Sequence, residues 1–108
     1  MEYNYVKTAK FQHVLTYKFT GNYKVGFNKL ADIRKQNKDF LLKEFGQSGN
    51  EWYITYSYEL LGRKVSFEDF EYNYFNNNWE DTTFVTNYRF KNKNDAMMFK
   101  LVTDDKNN

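Results

Sequence analysis

The stretch WYITYSYEL, residues 52–60, carries the clearest secondary-structure signal in the chain. Large apolar or aromatic side chains occupy every second position, at Trp52, Ile54, Tyr56, Tyr58 and Leu60. The positions between them hold Tyr53, Thr55, Ser57 and Glu59. A period of two in aromatic and β-branched residues is typical of a strand with one face on a core. We therefore predict a β-strand over residues 52–60.

Two further segments alternate in the same way. In residues 11–19, one face of the predicted strand is formed by Phe11, His13, Leu15, Tyr17 and Phe19. In residues 82–90, the side chains that face one way are Phe84, Tyr88 and Phe90. We predict strands at both places, and residues 3–7 are compatible with a small extra strand.

Residues 27–45 change to a helical period. At 100° per residue one broad apolar arc contains Phe27, Leu30, Ala31, Ile33, Phe40, Leu41, Leu42 and Phe45. This pattern predicts a long helix that lies on the sheet. Asn37 and Lys38 fall at the margin of the arc, which is compatible with a kink or a helix in two pieces. Gly46 is the predicted stop.

Residues 65–75 are ambiguous between strand and helix. Val65 and Phe67 alternate in one phase, whereas Phe70, Tyr72 and Tyr74 alternate in the other. A bulge at Glu68 and Asp69 would reconcile the two phases in a third strand. The alternative is a helix over residues 67–75, with Ser66 as its cap and Asp69 at its third position. We favour the strand.

The C-terminal segment predicts a short helix. Asn94 is its expected cap, and its expected apolar face is formed by Met97, Met98, Leu101 and Val102. The order of elements is then β-α-β-β-β-α. We predict an α+β fold in which a four-stranded, mostly antiparallel sheet carries one long helix on one face.

The length and the absence of cysteine limit the class of protein. At 108 residues we expect a single domain over residues 1–108, with a frayed tail over residues 103–108. The lack of cysteine excludes disulfides and thiolate metal sites, and favours a reducing compartment. No segment resembles a signal peptide or approaches the roughly 20 apolar residues of a membrane span. We expect a cytoplasmic protein without a membrane partner.

Catalytic signals are weak throughout the sequence. His13 is the only histidine and falls on the apolar face of its predicted strand, where a hydrogen-bonded core histidine is the expected role. The sequence has no nucleophile elbow, Walker loop, dinucleotide fingerprint or zinc-ligand spacing. We therefore predict a protein that is not an enzyme and that has no catalytic residue, cofactor or metal ion.

Charge is distributed unevenly along the chain. Residues 1–45 contain nine Lys or Arg against four Asp or Glu, whereas residues 51–82 contain two against seven. An acidic pole would be formed by Glu59, Glu68, Asp69, Glu71, Glu80 and Asp81. A bipolar surface of this kind can steer a charged partner. The residues that we predict for a protein interface are Tyr53, Glu68, Asp69, Phe70, Glu71, Tyr72 and Tyr74.

The segment YRFKNKNDAMMFKLV, residues 88–102, resembles the C-terminal strand and helix of small uncharacterised proteins from tailed bacteriophages. The resemblance implies an origin and, for a phage-encoded protein, the host cytoplasm. A short phage protein without catalytic groups is expected to act by binding. The leading hypothesis is an accessory protein that binds a host or phage macromolecule in counter-defence or host takeover.

Two alternatives remain open at this stage. The first is a single-stranded nucleic-acid-binding domain with contacts at Lys18, Lys35 and Arg89, because basic residues beside exposed rings favour base stacking. The segment FVTNYRFK at residues 84–91 lacks the glycine of the RNA-recognition octapeptide. The second is a virion or other self-assembling component, joined as a homo-oligomer through an exposed sheet edge.

Overall fold

A computed structural model describes residues 1–20, 23–60, 62–75 and 82–107; of residues 23–27, 73–75 and 105–107 it describes only the backbone. Within these ranges the elements are β1 (Glu2–Tyr5), β2 (His13–Thr20), α1 (Tyr23–Phe45), β3 (Trp52–Leu60), β4 (Arg63–Val65), α2 (Phe67–Phe75), β5 (Thr82–Phe90) and α3 (Lys93–Asn107). The strands form one antiparallel sheet in the order β1-β2-β5-β3-β4. The last strand of the chain therefore lies at the centre of the sheet.

The register of the three long strands confirms their predicted alternation. His13 of β2 and Trp52 of β3 both lie opposite Phe90 of β5. Because directly opposed residues point to the same face of a sheet, the predicted core sets of β3 and β5 share one face with His13, Leu15, Tyr17 and Phe19 of β2. The predicted place of Phe11 is wrong, since Phe11 precedes β2 and its ring packs on that of Tyr53 on the other face. The other face is mixed, because it carries Thr, Ser and Asn side chains together with charged residues, Tyr53 and two buried valines.

All three described helices pack on the aromatic face of the sheet. The contacts that place α1, α2 and α3 there are Arg34 with Thr86, Phe70 with Phe84, and Phe99 with Tyr88. The α+β class and the helix-covered antiparallel sheet are thus confirmed.

The predicted number of strands is wrong, since the described residues form five rather than four. The extra strand is β1, which pairs Tyr3 with Leu15 and completes one edge.

The predicted third strand is wrong after Val65, and the alternative helix is confirmed. Ser66 decides between them, because its Oγ accepts a hydrogen bond from the Asp69 N–H at 3.2 Å. Its carbonyl oxygen accepts another from the Phe70 N–H at 3.0 Å. The first bond satisfies an N-terminal donor that a helix otherwise leaves unpaired, and the second is the first hydrogen bond of the helix itself. Phe70 then packs into the core, stacked on Tyr58 at 4.3 Å between ring centroids.

Replacing Ser66 with Ala tests this cap. We expect the free energy of unfolding to fall by about 1 kcal/mol, because the Asp69 N–H loses its acceptor. Ser48→Ala is the control, since Ser48 lies exposed in the loop before β3, and it is expected to change stability by less than about 0.5 kcal/mol. Urea denaturation measures both. Equal stability of the two variants would contradict the cap.

Helix α1 is one continuous element over Tyr23–Phe45, so the two-piece helix is wrong. Asn37 is buried without breaking the helix, because its Nδ2 donates a hydrogen bond to the Tyr88 hydroxyl at 2.9 Å. Gly46 ends the helix as predicted, with φ of 82° and an N–H bonded to the Leu42 carbonyl at 3.2 Å. The side chain of Phe27 lies outside the described residues.

Helix α3 has a different cap and a different buried face from those predicted. Asn92 caps it, since its Oδ1 accepts a hydrogen bond from the Asn94 N–H at 2.8 Å. The buried residues are Ala96, Phe99 and Thr103, spaced one and two turns apart. Of the four residues predicted for the apolar face, Met98 and Leu101 are exposed. The helix continues to Asn107.

Candidate interaction surfaces

His13 is the first residue of β2, beside the edge strand β1, and it contacts two tyrosines of β1. Its Nδ1 is 2.7 Å from the Tyr3 hydroxyl, and its ring also contacts that of Tyr5 at 5.4 Å. In the described ranges no group of three His, Asp or Glu side chains is placed to hold a metal ion. In the same part of the chain, no helix has the length and apolar character to span a membrane.

Lys18, Tyr53 and Arg89 share the face of the sheet that the helices leave uncovered. Tyr53 lies directly opposite Arg89 of β5, and Lys18 lies opposite Val85 of the same strand. The two cations already have partners within the fold. Arg89 Nε donates to the Thr55 hydroxyl at 3.1 Å, and Lys18 Nζ lies 3.2 Å from a Glu59 carboxylate oxygen. Both cations are therefore partnered within this face, which also carries the buried Val14 and Val85.

Lys35 is not brought to that face. It lies on α1, in the helical layer, where its Nζ is 2.9 Å from Asp39 Oδ2. The hydrogen bond to Asp39 raises the pKa of Lys35. The three residues predicted to contact nucleic acid thus lie on two opposite sides of the sheet.

Helix α2 presents two exposed aromatic side chains, one of them from the predicted interface. Tyr72, which belongs to that set, is 68% exposed, and Phe67 is 52% exposed. Glu68 and Glu71 are also exposed. We call these four residues the α2 surface. The helix contains no basic residue.

Asp69, also from the predicted interface, is exposed in the first turn of the same helix, whereas the remaining predicted residues are placed differently. Phe70 is buried in the core beneath α2, and Tyr53 is half-buried against Phe11 on the opposite face of the sheet. Glu59 also lies on that opposite face, so it does not extend the acidic surface of α2. The side chain of Tyr74, together with Glu80 and Asp81, lies outside the described residues.

Arg34 forms a site that the sequence did not single out. Its Nε donates a hydrogen bond to the Thr86 hydroxyl at 3.0 Å, and its guanidinium carbon lies 4.5 Å from the centroid of the Tyr56 ring. Nη2 is buried and has no hydrogen-bond partner in the part of the chain that the structure describes. Burial lowers the pKa of Arg34. A desolvated guanidinium with a spare donor favours an oxyanion.

A buried hydrogen bond holds α1 beside this arginine. Asn37, three residues further along α1, bonds to the hydroxyl of Tyr88, and burial raises the pKa of Tyr88 to about 12. The sequence signal for this site was weak: Arg34 is a polar residue within the apolar arc of the helix, one turn before Asn37 at its margin. Comparisons of the chain with protein-family models, curated proteins and solved structures return no match.

Proposed function

We propose that this chain is a small phage accessory protein that acts without catalysis, by binding a host or phage protein through the α2 surface. The observation that carries the proposal is the exposure of Phe67 and Tyr72 beside carboxylates on one short helix. Aromatic side chains are enriched at protein interfaces, where they supply contact area with few rotatable bonds. The roles of counter-defence or host takeover follow from the resemblance in residues 88–102.

The charge of α2 determines the kind of partner. Glu68, Asp69 and Glu71 give the helix three carboxylates, and none of its residues is basic. A partner with Lys or Arg around an apolar patch complements this surface, and like-charged surfaces are disfavoured. The surface is also held in place before binding, since Phe70 beneath it is stacked on Tyr58 and packed edge-on against Phe84. Binding then requires little ordering of the helix.

A pull-down from host lysate with matched charge variants tests the proposal. The double variant Glu68→Lys/Glu71→Lys is expected to weaken capture of a saturable protein partner at least tenfold, because it reverses the charge around the exposed rings. Asp32→Lys/Glu44→Lys is the matched control, since it reverses two exposed carboxylates on α1. The control is expected to retain the partner. Circular dichroism establishes that both variants are folded.

Three outcomes would contradict the proposal. The first is the absence of a saturable protein partner while host defence systems keep full activity in the presence of this protein. The second is binding of single-stranded RNA or DNA that salt weakens and that Lys35 and Arg89 charge reversals abolish, which would favour the nucleic-acid function. The third is self-assembly at micromolar concentration, detected by mass photometry, with equal retention of the lysate partner by both double variants.

A further inference from the structure

Strand β3 has an outer edge that its neighbour covers only in part. Strand β4 is three residues long, and it pairs with Tyr58, Glu59 and Leu60. The chain then leaves the sheet to form α2. Residues 52–57 of β3 therefore have no strand beside them on that side in the described part of the chain.

The direction of the backbone groups identifies which residues form this edge. The Glu51 carbonyl accepts a hydrogen bond from the Lys91 N–H at 3.0 Å, next to the paired strands β3 and β5. Hydrogen-bonded and non-hydrogen-bonded pairs alternate in an antiparallel ladder. The N–H and C=O groups of Tyr53 and Thr55 thus point toward β5, and those of Ile54 and Tyr56 point outward.

The two flanks of the edge are already satisfied. The Trp52 carbonyl accepts a hydrogen bond from the Gly49 N–H at 2.7 Å, and Tyr58 pairs with Val65 of β4. Ile54 and Tyr56 remain between them, and no backbone bond on the outer side joins either residue to another described residue. An edge with free donors and acceptors can take an added strand.

Arg34 lies beside the same edge. Tyr56 is 49% exposed, and the guanidinium of Arg34 lies over its ring. A residue of an added strand opposite Tyr56 would place its Cβ about 5 Å from that of Tyr56, on the face where Arg34 lies. From that position an Asp or Glu carboxylate can form a charge-assisted hydrogen bond with the guanidinium of Arg34.

We infer that the edge at Ile54 and Tyr56 binds an extended segment of a partner protein, with one acidic side chain of that segment on Arg34. Backbone pairing supplies the affinity, and Arg34 selects the acidic residue. The site goes beyond the α2 surface, because it accepts a partner group of the opposite charge. The two sites use different residues, so a variant that impairs binding at one site is expected to leave binding at the other intact.

A second copy of this chain fits the edge less well. If β3 of one copy paired with β3 of another, the side chains nearest Arg34 would come from Trp52, Ile54, Tyr56 and Tyr58. None of these residues is acidic. The single carboxylate of β3, Glu59, lies on the opposite face with Lys18. The positive charge of Arg34 therefore favours a different chain, one that supplies an acidic side chain.

Selection from a random ten-residue peptide library displayed on yeast tests the inference. The selected peptides are expected to contain an Asp or Glu within an alternating, β-branched sequence. Arg34→Met is expected to weaken their binding at least tenfold, and Arg34→Lys is expected to restore only part of it, because Lys lacks the planar fork. Arg89→Met is the matched control on the other face and is expected to bind as the wild type does. Glu68→Lys/Glu71→Lys is likewise expected to bind the peptides normally.

Amide hydrogen exchange supplies a readout at the edge itself. In the free protein the Ile54 and Tyr56 amides are expected to exchange much faster than those of Tyr53 and Thr55. A bound peptide is expected to slow Ile54 and Tyr56 at least tenfold. Arg34→Met also removes the donor to the buried Thr86 hydroxyl, so circular dichroism and thermal melting are used to establish that the variant is folded at the temperature of the binding measurement.

Each contrary result overturns the inference. Three binding results would do so: a library that yields no binder, selected peptides without an acidic residue, and equal binding of the selected peptides by Arg34→Met and the wild type. Slow exchange of the Ile54 and Tyr56 amides in the free monomer would show that the edge is already covered. A dimer that protects the same two amides would assign the edge to self-association instead.

Discussion

Replacing Phe99 with Ala is expected to lower the free energy of unfolding by about 3–5 kcal/mol, the usual cost of deleting a buried Phe side chain. Phe99 is fully buried on α3, and its ring lies 4.8 Å from Tyr88, 5.5 Å from Phe90 and 6.0 Å from Phe40 between centroids. These contacts join α3 to the central strand and to α1. The deletion leaves a cavity among rigid rings that have little freedom to fill it. Urea denaturation with a two-state fit measures the loss.

Leu101→Ala is the matched control on the same helix. Leu101 is 68% exposed, so its truncation is expected to change stability by less than about 0.5 kcal/mol. The predicted apolar face of Met97, Met98, Leu101 and Val102 implies the opposite ranking. A larger loss for Leu101→Ala than for Phe99→Ala would show that α3 packs in another phase.

The strands were predictable because a slip of one residue exchanges their faces. In β3 only one assignment of side chains to the two faces is favourable, because only one phase of the alternation from Trp52 onward turns most of the large side chains toward the core. The same alternation assigns Tyr53, Arg89 and Lys18 to the face away from the core. The sequence did not reveal their existing partners, because the Thr55 and Glu59 contacts depend on the order of strands.

The buried face of α3 was not predictable from its sequence. Residues 96–99 are Ala-Met-Met-Phe, so apolar side chains occur almost all the way around the helix axis. Packing against Tyr88 and Phe90 selects Phe99. Thr103 is tolerated on the buried face because its hydroxyl donates to the Phe99 carbonyl at 2.7 Å. In residues 65–75 the sequence favoured a strand over a helix, and the Ser66 cap together with the burial of Phe70 selects the helix from Phe67 onward.

The Arg34 site depends on contacts between elements distant in the chain. Its partners Tyr56 and Thr86 come from adjacent strands, and they meet Arg34 only because α1 crosses the sheet at that register. A lone arginine on a helix predicts no such pairing. The free edge at Ile54 and Tyr56 likewise follows from the end of β4 at Val65 rather than from the sequence of β3.

Alkaline conditions are expected to destabilise the fold through Tyr88. Burial raises its pKa to about 12, against about 10 in an unfolded chain. The stability contributed by the buried neutral phenol is complete below pH 10. Between pH 10 and 12 the unfolded chain releases this proton and the fold retains it, so Tyr88 lowers the free energy of unfolding by about 1.4 kcal/mol per pH unit. Urea denaturation at pH 8, 10 and 11.5 measures the loss.

Two variants that break the same hydrogen bond separate this effect from the titration of other groups. Tyr88→Phe leaves the buried Asn37 amide without its acceptor, and Asn37→Ala leaves the Tyr88 hydroxyl without its donor. At pH 8 each variant is expected to lose about 1–3 kcal/mol. Tyr88→Phe has no phenol at this position to titrate, so it escapes the loss that the wild type suffers above pH 10. Its deficit in the free energy of unfolding relative to the wild type is therefore expected to shrink there. Asn37→Ala keeps the phenol buried and is expected to retain or enlarge its deficit. Parallel pH curves for the two variants would show that the alkaline loss arises from groups other than Tyr88.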